Sequence, residues 1–190
     1  MLNLANVITL ARIFLIPAVI VFDHSPKAGP SPIAATLFVI ASLTDLVDGY
    51  VARRFNQVTS MGKLLDPIAD KILVSSVLIL LVGHGLLPPL LAIVIVAREF
   101  AVSGLRQVAA AQGIVIPAET SGKVKMAFQT ISIALLLDNN RHIKIPGTNL
   151  LLNFHWIGLL AFWVAIILAI VSGIQYLLWY IWVTDREDPR

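Results

Sequence analysis

The chain of 190 residues contains no cysteine, and only 13% of its residues are charged. Without cysteine no disulfide can form, and the composition says nothing about the redox compartment. Charge is scarce beside 58% hydrophobic residues, and the mean hydropathy is +0.87, far outside the range of soluble domains. The composition therefore predicts an integral membrane protein.

The sequence also lacks an internal repeat that can be aligned and any low-complexity tract, so we treat residues 1–190 as one domain. The N-terminus lacks the basic region and cleavage site of a secretory signal, so we expect the first apolar segment to remain as a helix. The formal net charge of +3 comes from basic residues that are dispersed along the chain. This dispersal argues against nucleic acid and favours anionic lipid headgroups as partners.

Six apolar segments divide the chain, and a membrane-spanning helix needs roughly 20 apolar residues. They cover residues 6–22, 33–52, 66–82, 86–111, 124–137 and 150–183; the fifth is short and the sixth is long. The connections between them are compact and rich in Pro, Gly and Asn. We therefore predict an all-α integral membrane protein, a bundle of six transmembrane helices.

Two pairs of aspartates are the most informative feature. Asp45 and Asp48 lie near the end of the second apolar segment, and Asp66 and Asp70 lie at the start of the third. On a helix, these spacings place both members of a pair on one face. Four carboxylates within about 5 Å would repel by about 3 kcal/mol per pair at an effective dielectric constant near 20, so they require cations. Hard divalent ions beside the neighbouring Arg53 indicate a site that handles phosphates.

The distribution of basic residues predicts the orientation. If the N-terminus is cytoplasmic, 11 of the 14 Lys and Arg residues fall on the inside, and the outside keeps only Lys27, Arg141 and Lys144. By the positive-inside rule, we predict a multi-pass protein of the inner (plasma) membrane with both termini in the cytoplasm. The four aspartates then lie at cytoplasmic helix ends. All four histidines fall toward the opposite side, so histidine catalysis is not expected.

A polar stripe crosses the fourth segment, formed at helical spacing by Glu99, Ser103 and Arg106. It must face protein or a water-filled cavity. Arg98 precedes it, and Lys123 and Lys125 open the fifth segment. Several fixed cations around one cavity suit a substrate with its own phosphate. Two alternatives stay open: Arg98 and Glu99 as a structural ion network, and the two lysines as headgroup anchors.

The aspartates belong to a longer pattern, Asp45-x-x-Asp48-Gly49-x-x-Ala52-Arg53, eight residues, Gly62-x-x-x-Asp66-x-x-x-Asp70. This pattern resembles the full signature of the CDP-alcohol phosphatidyltransferase family, with no departure at a fixed position. The resemblance implies a six-helix membrane fold and a homodimer.

The resemblance also implies roles for the motif residues. Two divalent ions, Mg²⁺ or Mn²⁺, would be bound by the four aspartates, and Asp70 would also act as the general base on the attacking hydroxyl. The CDP moiety of CDP-diacylglycerol would be bound by Gly49, Ala52, Arg53 and Gly62. As an alternative, the two small residues permit close helix packing, and Arg53 is an anchor at the membrane surface.

Further stretches are similar to one branch of the family, the bacterial CDP-diacylglycerol:glycerol-3-phosphate phosphatidyltransferases. They are residues 97–99, 103–106 and 122–125, and residues 3–12 resemble that branch's opening. Ala5 stands where the branch usually has proline, and Met126 where it commonly has threonine. The resemblance implies that the phosphate of sn-glycerol 3-phosphate is bound by Arg98, Arg106, Lys123 and Lys125. Candidate substrate contacts in the opening stretch are Asn6, Thr9 and Arg12.

The sequence therefore predicts an enzyme that transfers the phosphatidyl group from CDP-diacylglycerol to sn-glycerol 3-phosphate and releases CMP, at a site on the cytoplasmic interface. The nearest alternative is the same chemistry with another acceptor: inositol phosphate, serine, or phosphatidylglycerol for cardiolipin. A more distant alternative is a cation transporter, although such proteins place acidic groups near the midplane, at broken helices in repeated halves. We interpret the aromatic residues Tyr176, Trp179, Tyr180 and Trp182 as interfacial.

Overall fold

The computed structural model describes residues 4–23, 30–54, 60–114, 120–144 and 151–187. Within these ranges, the side chains of residues 4–9, 45–54, 60–66, 120, 121, 123, 143, 144, 186 and 187 are outside the description. The described chain forms six α-helices: α1 Leu4–Asp23, α2 Pro32–Arg54, α3 Ser60–Gly83, α4 Pro89–Ala111, α5 Thr120–Leu137 and α6 Phe154–Glu187. Each coincides with one of the six apolar segments, so the all-α prediction is confirmed.

A short hairpin was not predicted. Strand β1, His142–Lys144, pairs antiparallel with β2, Leu151–Asn153, directly before α6. The sixth apolar segment was therefore placed four residues too early, because hydropathy cannot separate an apolar strand from the apolar helix that follows it. The helix begins at Phe154 because Asn153 Oδ1 accepts the backbone N–H of His155 at 2.8 Å, which caps the first turn.

Other helix ends differ from the predicted ones for local reasons. α3 begins at Ser60, so Asp66 lies inside the helix instead of at its start. At the other end of α3, the backbone N–H of Leu86 donates to Leu81 O at 3.0 Å, and Gly85 adopts φ +69°. Glycine reaches this left-handed conformation without strain, and it closes a helix by satisfying its last carbonyls. Gly113, with φ +80°, follows α4 in the same way.

The helices pack as a connected bundle. α1 packs against α2 and α3, α2 also contacts α5, and α6 packs against both α4 and α5. The main core between them is apolar, with fully buried side chains such as Phe38, Leu78 and Phe162. At Gly158 of α6, an added Cβ would lie 3.0 Å from Leu136 Cγ of α5. The absence of a side chain at Gly158 therefore lets these two helices approach closely.

The exterior of the bundle is also apolar. Large apolar side chains are exposed on all six helices, for example Phe14, Ile79 and Leu160. By length and composition, one helix among the described residues can cross a membrane, Phe154–Asp185; Pro32–Thr44 and Val124–Leu137 are shorter apolar helices. α4 is interrupted by the charged polar stripe. The number of six spanning helices stays a prediction.

A buried hydrogen-bonded pair joins the ends of α1 and α3. The side chain of Asp23 has no solvent exposure, and its Oδ2 lies 2.8 Å from His84 Nε2. Its other oxygen, Oδ1, accepts the backbone N–H of Ser31 at 3.3 Å. Because a buried carboxylate without partners is strongly unfavourable, these contacts hold the end of α1, the start of α2 and the α3–α4 turn together.

We expect His84→Ala to lower the free energy of unfolding by about 2 to 3 kcal/mol, because it leaves an oxygen of the buried Asp23 carboxylate without its hydrogen-bond partner. Arg141→Ala is the matched control, since Arg141 pairs with Asp138 but is 70% exposed and should lose less than about 1 kcal/mol. Thermal unfolding of the two variants in detergent measures the difference. Equal destabilisation of both would contradict the assigned role of the Asp23–His84 pair.

Candidate functional site

Helices α2 to α6 surround a cavity of about 270 Å³, which we call the charged cavity. Among the side chains that the structure describes, its wall carries four basic and two acidic ones: Lys71, Arg98, Arg106, Lys125, Asp70 and Glu99. Hydroxyl and amide groups complete it, from Ser42, Ser75, Ser103, Gln129, Thr130 and Tyr176. The predicted polar stripe of α4 therefore faces this cavity, as expected for charged groups in an apolar bundle.

Asp70 is the motif aspartate whose side chain the structure describes. It is half-buried on α3, lines the charged cavity, and lies close enough to Lys125 of α5 for the two charges to interact. Lys71 follows it in the same wall and donates from Nζ to Pro67 O at 3.1 Å. The structure thus brings the last motif aspartate together with cations that come from two other parts of the chain.

The other residues of the aspartate motif have described backbones but not described side chains. Asp45, Asp48, Gly49, Ala52 and Arg53 lie in the last turns of α2, and Gly62 and Asp66 lie in the first turns of α3. α2 and α3 contact each other. Among the described side chains, no group of three or more His, Cys, Asp or Glu residues is placed to hold a metal ion. The predicted metal and CDP sites therefore lie mainly outside the described side chains.

Lys125 is held inside the bundle by Glu99. The lysine is only 4% exposed, and its Nζ on α5 donates to Glu99 Oε1 on α4. Arg98 Nη1 donates to the same carboxylate oxygen at 3.4 Å. A buried ammonium without a carboxylate partner would be costly, so this pairing is required for Lys125 to stay charged in the cavity wall. The interpretation of Lys125 as a headgroup anchor is wrong, because the side chain does not reach the surface.

Arg98 is tied to α6 by two further hydrogen bonds. Its Nε donates to Ala169 O at 3.0 Å, and its Nη2 donates to Ser172 Oγ at 2.6 Å. All three guanidinium nitrogens therefore have protein partners, and Arg98 links α4 to α6. These contacts fit the structural ion network that was one of the two interpretations of Arg98. Its role in binding an acceptor phosphate stays a prediction.

Arg106 and Gly122 lie in the wall of the charged cavity too. Arg106 is exposed, about two helical turns beyond Glu99 on α4. Gly122 stands near the start of α5, where an added Cβ would be 3.6 Å from the Tyr176 hydroxyl. The side chain of Lys123 is outside the described residues. Of the four cations predicted to bind the acceptor phosphate, the structure brings Arg98, Arg106 and Lys125 into one cavity.

Several polar wall residues were assigned no part in the site by the sequence analysis, among them Lys71, Gln129 and Tyr176. Gln129 follows Lys125 by four residues, so helical spacing could have placed it on the same face. Lys71 adjoins Asp70. The interfacial interpretation of Tyr176 is wrong, since the residue is 6% exposed and lines the cavity. No local signal separates it from the other aromatic residues at the end of α6.

Arg12 lies elsewhere in the bundle. It is 1% exposed on α1, and its Nε donates to the backbone oxygen of Ala41 on α2 at 3.3 Å. Ala41 precedes Asp45 by one helical turn, so Arg12 supports the α1–α2 contact next to the aspartate motif. Asn6 and Thr9 have side chains outside the description. The role of these three residues as substrate contacts stays a prediction.

Comparisons with known proteins agree over most of the chain. The family model described as CDP-alcohol phosphatidyltransferase matches residues 2–171. A protein of Bacillus subtilis (strain 168) named CDP-diacylglycerol--glycerol-3-phosphate 3-phosphatidyltransferase is 46% identical, with 93% of this chain and 94% of the relative covered. Proteins of the same name from Rickettsia bellii (strain RML369-C) and Salmonella choleraesuis (strain SC-B67) are 40% and 36% identical, each with 92% of this chain and 93% of the relative covered.

We expect Glu99→Gln to lower the free energy of unfolding by about 3 kcal/mol, because it leaves the buried Lys125 ammonium facing a neutral group. Replacing both partners, as Glu99→Gln with Lys125→Met, should recover part of this loss, and unfolding in detergent measures the coupling. Arg106→Gln is the control at an exposed position of the same cavity and should change stability little. If the double variant loses the sum of the two single losses, the two side chains do not act as a pair.

Proposed function

The chain belongs to the CDP-alcohol phosphatidyltransferase family, and we propose that it transfers the phosphatidyl group of CDP-diacylglycerol to sn-glycerol 3-phosphate. The products are phosphatidylglycerol phosphate and CMP. The relatives reported above carry the name of this activity over almost their full length. The aspartate motif and the stretches around Arg98, Ser103 and Lys123 pointed to the same reaction.

The observation that carries the proposal is the charged cavity. It places Asp70, from the motif, opposite cations contributed by α4 and α5. A small acceptor with its own phosphate needs both a group that takes the proton of its hydroxyl and fixed positive charge for its phosphate. The cavity volume of about 270 Å³ is near the lower end for small-molecule sites, which suits an acceptor of this size. The acyl chains of the lipid substrate would remain outside it.

A divalent-metal site fits the motif residues. The four aspartates supply only oxygen donors, and within each pair the helical backbone places the residues three or four positions apart on one face. In this proposal Asp45, Asp48, Asp66 and Asp70 hold two ions, Mg²⁺ or Mn²⁺. When bound, such ions neutralise the diphosphate and the leaving phosphate. The CDP moiety is assigned to Gly49, Ala52, Arg53 and Gly62.

The chain's own residues then act on the acceptor. Asp70 accepts the proton of the primary hydroxyl while the hydroxyl oxygen attacks the phosphorus that bears the diacylglycerol. The bond from that phosphorus to the CMP oxygen breaks, and CMP leaves with the bonding electrons. Arg106, Lys123 and Lys125 hold the acceptor phosphate, which fixes the distance between hydroxyl and phosphorus. Because Lys125 is already paired with Glu99, it reaches this phosphate as part of an ion network.

The placement of the site follows from its two substrates. One arrives from the lipid phase and the other from water, so the charged cavity belongs at the cytoplasmic interface of a six-helix membrane domain that spans residues 1–190. Exposed apolar side chains on all six helices support contact with lipid. We place the enzyme in the inner membrane with both termini in the cytoplasm, and infer a homodimer from the family.

An acceptor screen tests the proposal. Purified protein with CDP-diacylglycerol and Mg²⁺ should release CMP with sn-glycerol 3-phosphate and not with inositol phosphate, serine, phosphatidylglycerol or free glycerol. A chelator should abolish release, and Mg²⁺ or Mn²⁺ should restore it. Asp70→Asn should lower kcat by at least about a hundredfold, the usual scale of general acid–base catalysis. Asp138→Asn is the matched control, because Asp138 follows α5 at the other end of the bundle and pairs with the exposed Arg141. Preference for another acceptor would overturn the assignment.

Different basic residues should bind the two substrates, so their substitutions should change different KM values. Arg106→Ala should raise the KM for glycerol 3-phosphate roughly ten- to a hundredfold, because each lost charge-assisted hydrogen bond costs about 1.5 to 3 kcal/mol. Its KM for CDP-diacylglycerol should change little, and Arg53→Ala should show the reverse pattern. Steady-state kinetics with each substrate varied in turn measures both. Equal changes in the two KM values would remove Arg106 from the acceptor pocket.

A further inference from the structure

One polar group in the wall of the charged cavity has no role in the reaction described above. Gln129, on α5, is 5% exposed, and its Oε1 accepts no hydrogen bond from any residue that the structure describes. Its backbone oxygen is occupied, since Ser132 Oγ donates to it at 2.8 Å. A buried carboxamide oxygen without a donor is unfavourable unless a ligand supplies one. We therefore expect a ligand in the cavity to donate a hydrogen bond to Gln129 Oε1.

The position of Gln129 indicates which donor this is. It follows Lys125 by four residues, so both lie on the cavity side of α5. Asp70 stands across the cavity on α3, near enough to Lys125 for their charges to interact. An acceptor whose phosphate lies at Lys125 and Arg106, and whose primary hydroxyl lies at Asp70, spans the space between them. The carbon that joins these two ends of glycerol 3-phosphate carries a secondary hydroxyl, which can donate one hydrogen bond.

We propose that Gln129 is a specificity-determining residue, whose carboxamide oxygen accepts a hydrogen bond from the secondary hydroxyl of the acceptor alcohol. Rotation about the terminal bond of the side chain lets the oxygen face the cavity, because this torsion is broad. The inference rests on the proposed function, since it takes glycerol 3-phosphate as the acceptor. It accounts for a buried amide to which the proposed reaction gives no role.

The hydrogen bond to Gln129 Oε1 could also come from the amino group of the cytosine ring in CDP-diacylglycerol. It is also a hydrogen-bond donor, and it would make Gln129 a nucleotide contact. The last aspartate of the motif and the cations on α4 and α5 line the same cavity as Gln129, whereas the residues assigned to the CDP moiety lie at the end of α2 and the start of α3. The surroundings of Gln129 thus favour the acceptor hydroxyl.

The test compares two acceptors in two proteins. The probe is 3-hydroxypropyl phosphate, which keeps the primary hydroxyl and the phosphate of glycerol 3-phosphate and lacks the secondary hydroxyl. The full-length wild type should prefer glycerol 3-phosphate by about ten- to a hundredfold in kcat/KM, since a polar site rejects a substrate that leaves it unpaired. Gln129→Met, which has similar length and no strong acceptor, should reduce this preference to less than about threefold. Its KM for CDP-diacylglycerol should stay unchanged.

The controls separate the outcomes. Ser132→Ala removes the hydrogen bond to the Gln129 backbone oxygen and should keep the wild-type preference, since it leaves the amide in place. A Gln129→Met enzyme with the wild-type preference would overturn the inference, and so would a raised KM for CDP-diacylglycerol with an unchanged preference. A wild type that turns over no glycerol 3-phosphate would instead overturn the proposed function. If Gln129→Met does not fold, the wild type alone decides: glycerol 3-phosphate must raise its Tm at concentrations at which 3-hydroxypropyl phosphate does not.

Discussion

The carboxylate of Glu99 is the interaction on which the site depends. A buried cation in an apolar bundle is costly unless its charge is compensated, and Glu99 supplies the opposite charge for Lys125 and Arg98. Arg98 lies on α4 and Lys125 on α5, and Arg98 also donates hydrogen bonds to Ala169 and Ser172 on α6. The same network therefore joins three helices. These contacts hold the three helices around the polar side chains that line the charged cavity.

The described side chains of the cavity wall carry more positive than negative charge, and this difference bears on function. Among them, four basic side chains face two acidic ones. Glu99 is engaged by two of the cations, while Asp70 serves the reaction in the proposed mechanism. The net positive charge of these side chains attracts anions, so it favours an acceptor that carries a phosphate over a neutral alcohol. The arrangement therefore ties acceptor choice to the same groups that hold the helices together.

At the end of the bundle away from the charged cavity, the buried polar groups stabilise the fold. Asp23 is fully buried, and each of its oxygens has a partner, His84 or the Ser31 backbone. The charged cavity combines the Glu99 network with Gln129, a buried group whose oxygen has no partner among the described residues. A closed pair fixes the fold, whereas an unsatisfied acceptor in a cavity wall is suited to a ligand. The contrast separates the structural end of the bundle from the end that carries chemistry.

The sequence by itself determined the six helices, the family and the acidic motif, because hydropathy, helical period and residue spacing are local properties of the chain. It placed Asp66 and Asp70 on one face and the stripe of Glu99, Ser103 and Arg106 on another. Only the tertiary structure decided that Lys125 is buried against Glu99, 26 residues away, and that Arg98 bonds to Ser172, 74 residues away. It also decided that Tyr176 and Gln129 face the cavity and that a hairpin precedes α6. These features depend on how helices distant in sequence rotate and pack against one another, and local pattern carries no record of that packing.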